Sequence, residues 1–160
     1  DFVGKTFAPD SCVTRKTFGY EGISTSIEFM SWKQEFMITT SWITECEPSQ
    51  DCQLHNHRNS FYSGVYYYDE YENTSGNIKF ENPVFSLNCF YVKSQESNIH
   101  NSHHWNIPPQ KNKLLFFPSY LKHQIDKHNG KNNRKSLAFN IVPIGEYGEG
   151  DSTYNTSWIT

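Results

Sequence analysis

The sequence predicts one all-β domain, a sandwich or barrel of about eight short strands. Three observations predict it: an excess of aromatic and β-branched residues, strand-like stretches at regular spacing, and turn residues between them. Tyr and Phe number 10 and 12. Ile, Thr and Ser are plentiful, Ala is scarce and Leu modest, a makeup that suits half-buried pleated surfaces better than helices. At 160 residues the chain can build one core and is too short for two ordinary ones.

The strands are read in order from alternation or β-rich makeup. Gly22 to Phe29 comes first, then Glu35 to Ile43. The turn Glu-Pro-Ser at 47–49 separates these from the aromatic stretch Phe61 to Tyr68. Asn-Thr-Ser-Gly at 73–76 leads into Gly76 to Phe80, where Ile78 and Phe80 alternate with polar neighbours, and Val84 to Val92 follows. Ile-Pro-Pro at 107–109 precedes the buried run Lys113 to Phe117, and a Pro-marked turn separates that run from the short Gln124 to Ile125. The polar stretch at 128–133 precedes Ser136 to Val142. No helix of three turns or more is expected. No repeat, low-complexity block or linker divides the chain, so residues 1–160 read as a single domain with Gly145 to Thr160 as a polar tail. The chain begins at Asp1 without a Met, which leaves open that leading residues are missing.

Charge and hydropathy narrow the function. The formal net charge is −3, with acids and bases interspersed, which gives no case for nucleic acid as a partner or for an electrostatic membrane anchor. The apolar runs, such as 114–118, are far short of the roughly 20 residues that span a bilayer. Cys12, Cys46, Cys52 and Cys89 are too few for a disulfide-built scaffold of this length and read as mostly free thiols in a reducing compartment. The sequons at Asn73 and Asn155 carry no weight without a secretion signal.

Three segments carry chemistry. In Leu54-His55-Asn56-His57, side chains two apart on an extended strand point the same way, so both imidazoles can reach one point. The run Leu114 to Pro118 reads as a buried strand and a turn that bring His123 to the start of the next strand. Two histidines from one strand and a third from a distant one suit a divalent transition metal with open positions. Arg134 and Ser136 share a strand face 11 residues beyond His123 and can hold a carboxylate between a guanidinium fork and a hydroxyl. Singly, each residue is as easily an exposed or structural side chain, and the set is what points to a site.

The order His55-x-His57, Ser63-Gly64-Val65-Tyr66-Tyr67-Tyr68, Gly76 to Pro83, Phe116-Phe117-Pro118-Ser119 with His123, and Arg134-x-Ser136 with Asn140 resembles the small 2-oxoglutarate/iron(II)-dependent oxygenases. These are prolyl-hydroxylase-like proteins, many of them from bacteria and phages. The resemblance spans roughly residues 40 to 143. It implies a double-stranded β-helix, or jelly roll, of the cupin-like kind with few short helices. It implies Fe(II) as the metal with 2-oxoglutarate and O2 as cosubstrates, in the cytoplasm of a bacterium or phage-infected cell. His55 then matches the first metal ligand and His123 the distal one. Arg134 with Ser136 matches the clamp for the far carboxylate of 2-oxoglutarate. Tyr67 matches a tyrosine bonded to that carboxylate, the alternative being a core aromatic. The activity implied is oxidative decarboxylation of 2-oxoglutarate coupled to hydroxylation of a C–H bond in a protein, amino acid or small metabolite.

His57 stands where most relatives carry Asp or Glu. It is read first as the third ligand of an all-histidine site. The other readings are a site that lacks its carboxylate, with water or halide instead, and a shifted frame using His57 and Asn59, which is disfavoured because amide oxygens bind iron poorly. The stretch Ser94 to Pro109, with His100, His103, His104 and Trp105, is read as a pocket mouth or an exposed polar loop. Three rivals remain. Cys46-x5-Cys52-x2-His55-x-His57 could hold structural zinc in a non-catalytic β module. A three-histidine cupin-type metalloenzyme would need no 2-oxoglutarate, although Arg58 to Tyr62 lacks the expected Glu. A lectin-like or structural β-barrel would hold no iron.

Overall fold

The described residues of this computed structural model are 34–85 and 93–159, with the backbone of 13–17 and 24–26. The strands are β1 (Val13–Thr17), β2 (Ser24–Ser26), β3 (Glu35–Cys46), β4 (Cys52–His55), β5 (Tyr62–Tyr67) and β6 (Ile78–Glu81). They continue with β7 (His104–Ile107), β8 (Lys113–Pro118), β9 (His123–Ile125), β10 (Arg134–Ile144), β11 (Glu146–Tyr147) and β12 (Tyr154–Asn155). Pairing throughout is antiparallel. One sheet runs β1-β3-β10-β5-β8 with β2 also on β3; a smaller sheet runs β4-β9-β6-β7, and β11-β12 form a separate ribbon. From β3 to β10 the chain passes repeatedly between the two main sheets. That is the double-stranded β-helix, a jelly roll, expected from the sequence.

The long strands form where they were expected, because they alternate against a shared core. Val65, Tyr67, Phe117 and Ala138 from the large sheet pack with Ile78 and Phe80 from the small one. Five strands were missed: β1, β4, β7 and the β11–β12 ribbon, which falls in the stretch read as a polar tail. Cys52–His55 is largely exposed and has no apolar alternation, and His104–Ile107 lies in the stretch read as a loop or pocket mouth. Both form because a neighbour supplies ladder partners: β4 pairs with β9 and β7 with β6. Of the expected strand Gly22 to Phe29, only β2 falls within the described residues. Of Val84 to Val92, Val84 and Phe85 lie in a turn and 86–92 are outside the described residues. Among the described residues the helical pieces are 3-10 turns, Gly150–Ser152 and Ser157–Ile159.

Register sets what faces inward. Asn140 pairs with Thr40 and Ser63, Ala138 with Trp42 and Val65, Ser136 with Thr44, and Arg134 with Cys46. On β5, Ser63 pairs with Phe117, Val65 with Leu115 and Tyr67 with Lys113. These are successive inner rungs of the large sheet. A bulge leaves Thr39 between the pairs Asn140–Thr40 and Ile141–Ile38. The extra residue flips the parity of β3, so Thr40 and Trp42 share the face of Asn140 and Ala138 while Phe36 and Ile38 join Ile141 in a second apolar cluster on the opposite face.

Gly64 pairs with Phe139 across the strands, and a Cβ built on it would lie 2.2 Å from Cζ of that ring. The ring is covering bare backbone that no larger residue could share with it. Gly64→Ala is therefore expected to lower stability by about 1–3 kcal/mol. In urea titrations the loss should shrink in a Phe139→Val background; equal losses in both backgrounds would discount the contact.

Candidate metal centre

β4 and β9 pair so that His55 lies opposite His123, and β6 places Phe80 on the other side of His123. His57 sits two residues past His55, just beyond the end of β4, tied by its backbone N–H to the carbonyl of Ser119 at 2.9 Å. The structure therefore brings the predicted histidines together. One ring nitrogen from each of His55, His57 and His123 lies within 4.8 Å of the others. Ring centroids are 4.5 Å apart for His55–His123, 5.1 Å for His57–His123 and 5.2 Å for His55–His57. Burial is graded: His123 is 4 % exposed, His57 half-buried and His55 exposed.

The tautomers follow from the hydrogen-bond partners. His55 Nδ1 lies 2.7 Å from the carbonyl of Gln53, and His123 Nδ1 lies 2.9 Å from that of Leu121. A carbonyl only accepts, so the proton is on Nδ1 and the lone pair of each neutral ring is on Nε2. His57 Nδ1 lies 2.7 Å from Asn140 Oδ1, which gives the same answer. Three neutral Nε2 donors converging from two strands and a loop form a donor set that fits a transition metal such as iron.

Burial favours the neutral form of two of these rings, His123 and His57. Burial pushes the pKa of His123 from 6.5 down to about 3, helped by the neighbouring His55 and His57 and opposed by the bond to Leu121. Burial also lowers that of His57, while Asn140 opposes the shift. The rings of Phe117, Phe80 and Trp42 supply the dry surroundings: Phe117 packs edge-on to His123 at 4.9 Å, Phe80 lies 5.6 Å from it, and Trp42 lies 5.3 Å from His57.

Further along the same inner faces sits the second predicted group. Arg134, at the start of β10, is 1 % exposed and Tyr67 is fully buried. Arg134 Nε donates to the carbonyl of Gly76 at 2.9 Å, and Nη2 donates to Tyr67 Oη at 3.2 Å. Nη1 is buried with no partner among the described residues. A buried guanidinium with an unpartnered nitrogen is costly in a low dielectric, and its geometry fits an incoming carboxylate. Burial raises the pKa of Tyr67 despite Arg134 beside it. The phenol thus keeps its proton to donate while its oxygen accepts from the arginine. Ser136 is 2 % exposed on the same face of β10.

Sequence reasoning gave no role to Asn140, Ser63 or Trp42, all of which surround His57. Asn140 was discernible as an inward position of the strand that carries Arg134 and Ser136, two steps past Ser136 at a period of two. Cys46 is disulfide-bonded, correcting its reading as a free thiol and removing it from the four-ligand zinc arrangement.

The comparisons with known proteins give a family and a fold. Residues 40–140 match the model of the family described as Putative 2OG-Fe(II) oxygenase. No curated protein matches the sequence. Among solved structures the chain is similar to an oxidoreductase of the 2OG-Fe(II) oxygenase family from Burkholderia pseudomallei, with 11 % identity and a TM-score of 0.53 over 69 % of this chain and 46 % of that one. It is also similar to a prolyl-4-hydroxylase from Pseudomonas putida, at 15 % identity and TM-score 0.47 over 71 % and 51 % of the two chains. A cupin domain from Bordetella pertussis matches at 9 % identity and TM-score 0.48 over 86 % and 99 %. The first of these supports the fold. The chain spans about half the length of the two oxygenase structures.

The depressed histidines have a consequence for the metal-free protein. The unfolded chain takes up protons as the pH falls below 6.5, whereas folded His123 refuses one until about 3. Stability should therefore drop on acidification from about pH 6.5, by up to about 1.4 kcal/mol per unit from this group. Urea midpoints of chelator-treated protein between about pH 7 and 5 measure it. His123→Gln should flatten the profile, and an unchanged slope would show that His123 is not the group responsible.

Proposed function

The chain belongs to the 2OG-Fe(II) oxygenase family, and from that premise we propose that it is an Fe(II)- and 2-oxoglutarate-dependent dioxygenase that hydroxylates a C–H bond of a peptide, amino acid or small metabolite. The observation that carries this reading is the pairing of two features in one interior: three convergent imidazoles and a buried arginine with an unpartnered nitrogen.

In this reading His55, His57 and His123 hold the iron through Nε2. Bound there with 2-oxoglutarate and O2, the iron supplies oxidative decarboxylation to succinate and CO2 and insertion of the second oxygen atom into a C–H bond. Arg134 neutralises the far carboxylate of the oxo acid, Tyr67 donates its phenolic proton to it, and Ser136 adds a hydroxyl. Val65, Ile78, Ile125 and Ala138 are all buried and make this interior apolar. His55 lies on the exposed side, so substrate arrives there. A cleft of about 570 Å³, lined in part by Arg58, Phe61, Tyr62 and Tyr120, lies beside His57. No helix among the described residues is long and apolar enough to cross a membrane. The reading keeps the cytoplasm as the setting, against which the disulfide at Cys46 weighs.

One second reading has an observation behind it. The all-imidazole donor set also suits a cupin-type metalloenzyme that uses no 2-oxoglutarate, which would leave Arg134 without a task.

Substitution separates them. His123→Ala is expected to lose metal binding by at least about 100-fold, read by anaerobic Fe(II) titration. Arg134→Ala is expected to bind iron normally while its 2-oxoglutarate-dependent succinate release falls at least about tenfold, through a raised KM. Wild-type protein that turns over without 2-oxoglutarate would establish the second reading instead.

A further inference from the structure

His57 differs from the other two histidines in what fixes its proton. His55 and His123 each face the carbonyl of the residue two before them, Gln53 and Leu121, so local backbone decides their tautomers. His57 lies past the end of β4, and the partners of its Nδ1 come from other strands: Asn140 Oδ1 on β10 at 2.7 Å and Ser63 Oγ on β5 at 2.9 Å. A neutral imidazole can carry its proton on either nitrogen, and only the form protonated on Nδ1 has a lone pair on Nε2 for a metal.

We propose that Asn140 and Ser63 are positioning residues that hold His57 as an Nε2 ligand. The proposal rests on the metal reading above and goes beyond it. Asn140 is itself held with its oxygen toward His57. Its Oδ1 accepts from the Ser63 hydroxyl at 2.8 Å, and its Nδ2 donates to Thr40 Oγ1 at 3.2 Å on the far side. Ser63 is fully buried and lies 2.8 Å from the equally buried Ser119, which lies 2.9 Å from Ser60. The bulge at Thr39 keeps Thr40 on the inner face where it can meet Asn140. A carboxylate ligand has no tautomer to set, so this relay answers a need that an imidazole introduces at this position.

The test combines Zn(II) competition titrations with ¹⁵N NMR of the histidine rings in the metal-free protein. Asn140→Leu removes the acceptor at similar size and is expected to weaken Zn(II) binding about 10- to 100-fold. Asn140→Asp keeps the acceptor, adds charge to the bond, and should bind at least as tightly as wild type. Ser63→Ala should fall between them. The wild-type spectrum should show His57 protonated on Nδ1, a readout that needs no variant and that loss of folding cannot mimic. Unchanged affinity in Asn140→Leu, Asn140→Asp binding as weakly as Asn140→Leu, or a His57 protonated on Nε2 would each overturn the proposal alone. Equally weak binding by wild type and His123→Ala would overturn the metal reading and this proposal with it.

Discussion

The register of β9 against its two neighbours is the constraint on which the site depends. β9 has three residues; its first, His123, meets His55 on one side and Phe80 on the other, while Ile125 meets Cys52 and Ile78. A slip of one residue would turn His123 and Ile125 to the opposite face together, because strand side chains alternate with a period of two. So short a strand cannot fix its register by ladder bonds alone. The surroundings do it: the Phe117 and Phe80 rings pack on the imidazole of His123, the Glu81 N–H bonds to the carbonyl of Lys122, and the His57 N–H bonds to that of Ser119. The apolar packing of the core is thus also what aims the ring nitrogens of the candidate metal centre.

The charged end of the interior is held by a different device. Arg134 Nε needs the carbonyl of Gly76, and that carbonyl is placed by two loops sewn together. The Asp126 N–H bonds to the Asn77 carbonyl and the Asn129 N–H to that of Thr74. Glu72 accepts the backbone N–H groups of Lys131 and Asn132 at 2.8 and 3.0 Å, and buried His128 donates from Nε2 to the Asn132 carbonyl at 2.6 Å. The loops approach so closely that a Cβ on Gly76 would lie 2.2 Å from the Asp126 carbonyl oxygen. Glycine is needed there for contact. The stretch 126–133, which in sequence looks like an ordinary turn, builds this junction from its backbone N–H groups and the side chain of His128.

The longer strands, and the residues that gather at the site, could be read from the sequence because they obey a short rule. Period two puts His55 with His57, and Arg134 with Ser136, on common faces, and β-branched and aromatic alternation marks β3, β5 and β10. What could not be read depends on partners far along the chain. β4 and β7 carry no internal pattern and exist because β9 and β6 offer them ladders. The role of Asn140 depends on a loop histidine 83 positions away, and the parity flip at Thr39 is visible only from the pairing. Tyr67 could be named but not distinguished from a core aromatic until Arg134 was seen to donate to it.

Charge ties the two ends of this interior together. The imidazoles are neutral donors, so a divalent metal held by them keeps its full charge, and Arg134 adds another positive group that makes no ion pair among the described residues. A site with one carboxylate ligand would offset part of that charge itself. Here, on the proposed reading, the offset must come from what binds, and an acid carrying two carboxylates supplies it: one end can meet the metal and the other Arg134. In a low-dielectric interior each positive group raises the cost of holding the other until the dianion arrives. Metal and diacid therefore favour each other's binding, and by linkage the coupling runs equally in both directions. On that reading, an imidazole rather than a carboxylate at position 57 leaves part of the work of assembling the site to the cosubstrate.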